Sequence, residues 1–250
     1  MESVSLVAGL SLAVGAAIAV SVVIWFMFPK LINDEAGLRL LNGLRTDNRP
    51  VWLVSFVMTA TGLVLAWIAG FFLPLFMSRT YADIPIIVAL GVFAGATAWL
   101  FWIDSVLHRL PNLIVMPIAG FMIVAYLVSM ILGVTSKQSA FDQLWARGAT
   151  PALAGLAGAG ITVVIFAIVY LFGLALGKET LGLGDVKLAV PVGMVAGTAS
   201  QWGLIVALII MNVSALVYFL MHLGKRRNVA FGPHMLIGAW TAALLTPLIL

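Results

Sequence analysis

The stretch Leu181-Gly182-Leu183-Gly184-Asp185-Val186-Lys187-Leu188 places an acid and a base inside an otherwise apolar sequence. Gly182 and Gly184 have no Cβ, so the backbone can bend there and another segment can come close. An ionisable side chain within a bilayer costs roughly 2.5 to 3.5 kcal/mol on insertion scales, so its default interpretation is a functional site with a partner elsewhere. Asp104 is the candidate partner of Asp185.

Composition identifies the class of protein. Of the 250 residues, 63% are hydrophobic and only 9% are charged, and the mean hydropathy is +1.17. A soluble domain is nearly half apolar, so the sequence predicts an all-α, polytopic membrane helix bundle. Eight spans of about 20 residues would use about 160 residues, which leaves short connections and one transmembrane domain over residues 1–250. Because the chain contains no cysteine, disulfides, thiolate nucleophiles and Cys-ligated metals are excluded.

About eight transmembrane helices are predicted from apolar runs that are separated by polar breaks. The runs cover 1–28, 51–76, 84–103, 113–133, 151–176, 186–199, 201–223 and 235–250. The first run lacks the basic start of a secretory signal peptide, and the sixth is short for a full crossing. Small residues predict close helix packing, and they are Gly91, Gly95, Gly155, Gly158, Gly160, Gly193 and Gly197.

The positions of the basic residues predict the orientation. With eight crossings, most of the 13 Lys and Arg residues fall in breaks on one side, at 29–50, 104–112, 177–187 and 224–234. The positive-inside rule makes that side cytoplasmic and puts both termini outside. Leu38, Leu41 and Leu44 recur at helical spacing, which favours an amphipathic helix within the 29–50 loop. The same orientation brings Asp104 and Asp185 to the cytoplasmic face together.

Two carboxyl groups that lie close together in a poorly solvated place cannot both ionise, because each charge raises the pKa of the other group. One member then stays protonated. The charged member can take a proton from water as the water attacks an amide, and the neutral member can donate a proton to the carbonyl oxygen. The reaction that this pair predicts is peptide-bond hydrolysis without a covalent intermediate.

Less specific interpretations exist for each residue. Asp104 or Asp185 alone could be an interfacial charge at a helix end, and Lys187 and Arg109 could be anchors whose charged ends extend to the membrane surface. His108, His222 and His234 fit polar or interfacial positions at helix ends. Three scattered histidines without cysteine or His-Glu-x-x-His spacing make no recognisable metal site, so we expect no metal and no other cofactor. Neither a nucleophile elbow nor a phosphate-binding loop occurs in the sequence.

Three motifs together resemble the prepilin peptidases, membrane aspartyl proteases with a Gly-x-Gly-Asp motif. The segment 177–188, which includes Glu179 and Lys187, is similar to the second catalytic loop of that family. Asp104, followed by Leu110-Pro111-Asn112, resembles its first motif, and Phe231-Gly232-Pro233 resembles the motif before its last helix. His234 stands where the family more often has an aromatic or apolar residue.

The resemblance implies that Asp104 and Asp185 are the catalytic pair. Gly182, Gly184, Lys187, Glu179, Pro111, Asn112, Gly232 and Pro233 would support the motifs or the substrate loop. The expected reaction removes a short basic leader from a type IV prepilin-like or pseudopilin precursor at the cytoplasmic face of the inner membrane. The expected partners are this substrate and the lipid bilayer, without nucleic acid.

Family members with two activities also N-methylate the new terminus, using a cytoplasmic domain between the first two spans that often carries paired Cys-x-x-Cys. Here that place holds only the 29–50 loop and no cysteine. The resemblance is therefore to a short form without the methyltransferase domain, and we expect no methylation.

Two other kinds of membrane protein share part of this pattern. Presenilin-like and signal-peptide-peptidase-like proteases share the Gly-x-Gly-Asp motif. Their first aspartate lies in a Tyr-Asp motif and they have Pro-Ala-Leu near the end, whereas this chain has Ile103-Asp104 and Phe231-Gly232-Pro233. A small proton-coupled transporter could also use intramembrane carboxylates. No two-fold repeat of spans is present, and both acids are predicted at one face instead of near the midplane.

Overall fold

A computed structural model describes residues 5–32, 51–72, 81–135, 151–177, 181–200, 202–221 and 230–249. Within these ranges the regular structure is helical, and each predicted span corresponds to one helix. In chain order the helices are α1 (Leu6–Ile32), α2 (Val51–Phe72), α3 (Ile84–Leu107), α4 (Asn112–Thr135), α5 (Pro151–Ala175), α6 (Leu183–Ala199), α7 (Gly203–Met221) and α8 (Gly232–Ile249). A 3₁₀ turn, Tyr81–Asp83, precedes α3. The prediction of an all-α helix bundle is confirmed.

Five described segments are long and apolar enough to cross a membrane. They are Leu6–Met27, Tyr81–Leu107, Asn112–Gly133, Pro151–Ala175 and Gly203–Met221. Large apolar side chains such as Phe26, Ile168 and Phe172 lie exposed on the outer helix faces, where hydrocarbon suits them better than water does. The chain is therefore a membrane protein. With 17 residues, α6 is only about 26 Å long, which agrees with the short sixth span expected from the sequence.

Small residues bring the helix backbones close together. Gly91 and Gly95 of α3 lie against the backbone of Ala13 and Ala17 in α1, where an added Cβ would overlap the carbonyl oxygens. Between α5 and α6, Gly158 lies against Gly193 in the same way, and Gly197 lies against Ala154. These contacts confirm the predicted packing faces. Gly160 is an exception, since no atom lies within 4 Å of the place where its Cβ would be.

Several helix ends differ from the predicted span ends, and three of these differences lie beside motif residues. α3 continues beyond Ile103 through Asp104 to Leu107, and His108 ends it in the left-handed region (φ 53°, ψ 32°). α6 begins at Leu183 instead of Val186, and α8 begins at Gly232 instead of Met235. A charged side chain ends an apolar run without ending a helix, because helix ends depend on backbone capping. Asp104 and Asp185 consequently lie on helices and not in loops.

Several predictions from the sequence concern residues outside the described ranges. They include the amphipathic segment at Leu38, Leu41 and Leu44, and also Glu179, His222 and the basic residues Lys225, Arg226 and Arg227. The cytoplasmic location of the basic breaks and the outside location of both termini stay predictions.

Candidate active site

Asp104 lies in the last turn of α3, where its side chain is buried with 4% exposure. The backbone N–H of Gly232, at the start of α8, donates a hydrogen bond to Asp104 Oδ2 at 3.1 Å. A Cβ on residue 232 would lie 2.7 Å from the same oxygen. A larger residue at this position would displace the carboxylate or α8, so glycine permits the close approach, and the Phe231-Gly232-Pro233 motif brings a backbone donor to the first carboxylate.

Asp185 lies in the first turn of α6, ahead of the predicted sixth span. Gly182 has an extended backbone at the N-cap position, and its N–H donates a hydrogen bond to Asp185 Oδ2 at 3.1 Å. This contact is the carboxylate half of a capping box. Burial and, as a smaller cause, the nearby charge of Asp104 raise the pKa of Asp185 to about 7, and the hydrogen bond from the Gly182 N–H opposes both effects. The carboxyl group can thus hold a proton near neutral pH.

The two carboxylates belong to one site. Asp104 is close enough to act electrostatically on Asp185, and the side chain of Leu110 packs beside both neighbouring glycines. A Cβ on Gly184 would lie 3.1 Å from Leu110 Cβ, and a Cβ on Gly232 would lie 3.4 Å from Leu110 Cδ1. The three sequence motifs therefore meet at the ends of α3, α4, α6 and α8.

Lys187 and Asn112 join two of these motifs directly. Lys187 Nζ donates a hydrogen bond to Asn112 Oδ1 at 2.8 Å. Asn112 is the first residue of α4, and the carbonyl oxygen of Pro111 accepts the N–H groups of Ile114 and Val115 in its first turn. The sequence favoured a membrane anchor at Lys187 and gave no sign of this bond. Only the fold reveals that Lys187 and Asn112, which are far apart in the sequence, are neighbours.

His234 is buried, whereas the sequence indicated an interfacial position. Its side chain is 7% exposed, and its Nδ1 forms a hydrogen bond with Ser214 Oγ of α7 at 3.1 Å. The rings of Tyr218 and Phe231 lie 5.5 and 6.3 Å from the imidazole ring, centroid to centroid. His234 thus helps to fix the first turn of α8 against α7, and Pro233 beside it is also buried. No signal in the sequence pairs His234 with Ser214.

Two other polar residues, which follow Asp104 closely in the sequence, are exposed and not buried with the pair. The side chains of His108 and Arg109 are exposed on the α3–α4 turn. In the part of the chain that the structure describes, no three His, Asp or Glu side chains come together in a group that could hold a metal ion. The chemistry available from the described side chains is proton transfer by two carboxyl groups of unequal environment.

Comparison of the chain with protein-family models, with curated proteins and with solved structures finds no match.

Proposed function

We propose that the chain is a membrane aspartyl endopeptidase that removes the short basic leader from type IV prepilin-like or pseudopilin precursors. The cut would take place at the cytoplasmic face of the inner membrane. The main support is that Asp104, Asp185 and Gly232, which come from three distant sequence motifs, meet at one end of the helix bundle.

The two acids have the properties that water activation requires. When the pair holds one proton, the ionised carboxylate removes a proton from water as the oxygen attacks the scissile carbonyl carbon. The protonated carboxyl group donates to the carbonyl oxygen and neutralises its developing charge. The carboxyl group that took the proton from water then passes it to the amide nitrogen, while the other carboxylate takes a hydroxyl proton back from the tetrahedral intermediate. The C–N bond breaks, the leader leaves with a new carboxyl group, and no covalent link to the chain forms.

Mass spectrometry of a co-expressed substrate tests the proposed function. Prepilin-like proteins encoded in the same genome are co-expressed with the chain, and their N-termini are read. We expect a new N-terminus immediately before the hydrophobic helix of at least one of them. The purified chain should make the same cut in detergent without an ion gradient. Cleavage that requires a gradient, or intact leaders on every such protein, would contradict the proposal.

The pH dependence of cleavage follows from the Asp185 carboxyl group. Because burial raises the pKa of Asp185 to about 7, the proton on the pair is lost as the pH rises above this value. We expect kcat/KM to fall about tenfold for each pH unit on the alkaline side, as for loss of one essential proton. The raised pKa also means that this group favours folding less as pH rises from about 4 to 7. Recovery of activity on return to pH 6 separates titration from unfolding. A rate that stays constant to pH 9 would contradict the assignment.

The bond between Lys187 and Asn112 is expected to affect activity moderately. Lys187→Ala and Asn112→Ala should each lower kcat/KM by about threefold to tenfold, because a hydrogen bond with one charged partner is lost at a partly exposed position. The double variant should be no worse than either single variant, since all three lack the same bond. Arg109→Ala, which removes an exposed cation from the α3–α4 turn that precedes Asn112, is the matched control. Additive losses, or inactivity as complete as that of the aspartate variants, would show that Lys187 has another role.

A further inference from the structure

Leu110 occupies an unusual position for a residue between helices. It lies in the four-residue turn between α3 and α4, where the preceding His108 and Arg109 are exposed. Its own side chain is only 9% exposed. The turn therefore directs one apolar side chain inward while its polar neighbours face outward.

The buried side chain lies between the surroundings of the two carboxylates. On one side, the Cβ of Leu110 is next to Gly184, which directly precedes Asp185. On the other side, its Cδ1 is next to Gly232, which donates to Asp104. Neither neighbour has a side chain that could fill this space in its place. Leu110 is thus an apolar group that extends from the surroundings of one carboxylate to those of the other.

This position matters for any peptide that reaches the pair. The scissile amide must lie within hydrogen-bond reach of both carboxyl groups. A substrate side chain next to that amide must therefore come close to Leu110, which lies beside the surroundings of both carboxyl groups. Leu110 lies in a turn and not in a helix. No rigid helical backbone at this residue therefore restricts the approach of a substrate.

We propose that Leu110 is a specificity-determining residue that forms the apolar wall of the subsite for a side chain next to the scissile bond. The substrate class is a peptide whose residue at that position is limited in size by the isobutyl group of Leu110. This inference rests on the proposed peptidase function and deepens it.

A substrate panel with Leu110 variants tests the inference. The panel consists of leader peptides in which the residue on one or the other side of the scissile bond is changed to Ala, Leu or Phe. We compare kcat/KM for each peptide between the wild-type chain and three variants. We expect Leu110→Ala to raise kcat/KM for Phe relative to Ala about tenfold or more at one of the two positions, since pocket volume discriminates on this scale. Leu110→Phe should shift the same ratio the opposite way. Leu110→Met, which conserves volume, should keep the wild-type ratio.

The outcomes separate this inference from the proposed function. If the wild-type chain cleaves its leader but Leu110→Ala and Leu110→Phe change every substrate by the same factor, Leu110 has only a structural role and the inference is wrong. A wild-type chain that cleaves no leader would overturn the proposed function, and the inference with it. Leu110→Val removes a single methylene and should shift the ratio in the direction of Leu110→Ala, so the test remains decisive even if the alanine variant does not fold.

Discussion

Asp104→Asn and Asp185→Asn are each expected to reduce leader cleavage at least a thousandfold while leaving membrane insertion intact. Asparagine has nearly the shape of aspartate, and its side-chain oxygen can still accept the N–H of Gly232 or Gly182. It cannot take a proton from water or hold the shared proton. A general acid or base group raises the reaction rate about 10²- to 10⁴-fold. Each variant also stops proton exchange between the two carboxyl groups. Cleavage in membranes, followed by the size of the product, measures the loss.

Asp83→Asn is the matched control for the aspartate variants. Asp83 is also buried and directly precedes α3, about 30 Å of helix away from Asp104. We expect this variant to cleave the leader like the wild-type chain. Full turnover by Asp104→Asn or Asp185→Asn would reject the catalytic pair, whatever the control shows.

Gly232→Ala is expected to lower kcat by about a hundredfold without unfolding the chain. The added Cβ would lie 2.7 Å from Asp104 Oδ2 and 3.2 Å from its Cγ. Either the Asp104 carboxylate must move from its position or α8 must shift. Either movement lengthens the bond from the Gly232 N–H, and a displacement of about 1 Å can cost 10²-fold in rate. Single-turnover cleavage measures the chemical step directly.

The control for this variant is Gly120→Ala in α4, where no atom lies within 4 Å of the added Cβ. It tests the general effect of alanine on a helix of this bundle and should leave cleavage unchanged. Equal activity of Gly232→Ala and Gly120→Ala would show that the contact between Gly232 and Asp104 does not matter for the reaction.

The positions of the helices could be predicted from the sequence because long apolar runs have few alternatives in a membrane protein. Their ends could not. The third span was predicted to stop at Ile103 because Asp104 is charged, but the backbone continues until His108 adopts the left-handed conformation. The sixth was predicted to start at Val186, whereas the extended Gly182 and the carboxylate of Asp185 start the helix earlier. Hydropathy reports burial in lipid, and capping decides where a helix ends.

For the candidate site, the sequence identified which residue types could perform chemistry, but apart from pairing Asp104 with Asp185 it did not identify their neighbours. The Gly-x-Gly-Asp motif and Asp104 could be selected because acids are unusual in apolar surroundings. Three contacts depend on how separate helices pack: the side chain of Leu110 beside Gly184 and Gly232, the bond from Lys187 to Asn112, and the burial of His234 against Ser214. A leucine among many leucines carries no local signal of its role.

Cross-linking of introduced cysteines tests most directly whether the two acids share one site. The natural chain has no cysteine, so the variant Asp104→Cys/Asp185→Cys contains only the two thiols of interest. Asp104→Cys/Trp202→Cys is the control, because Trp202 lies beyond the far end of α6. Each single variant establishes that its thiol reacts. In intact membranes, a short thiol-specific cross-linker should join residues 104 and 185 within one chain and leave 104 and 202 unlinked. Reactive thiols at 104 and 185 that never become linked would show that the two carboxylates lie apart, which would contradict the account.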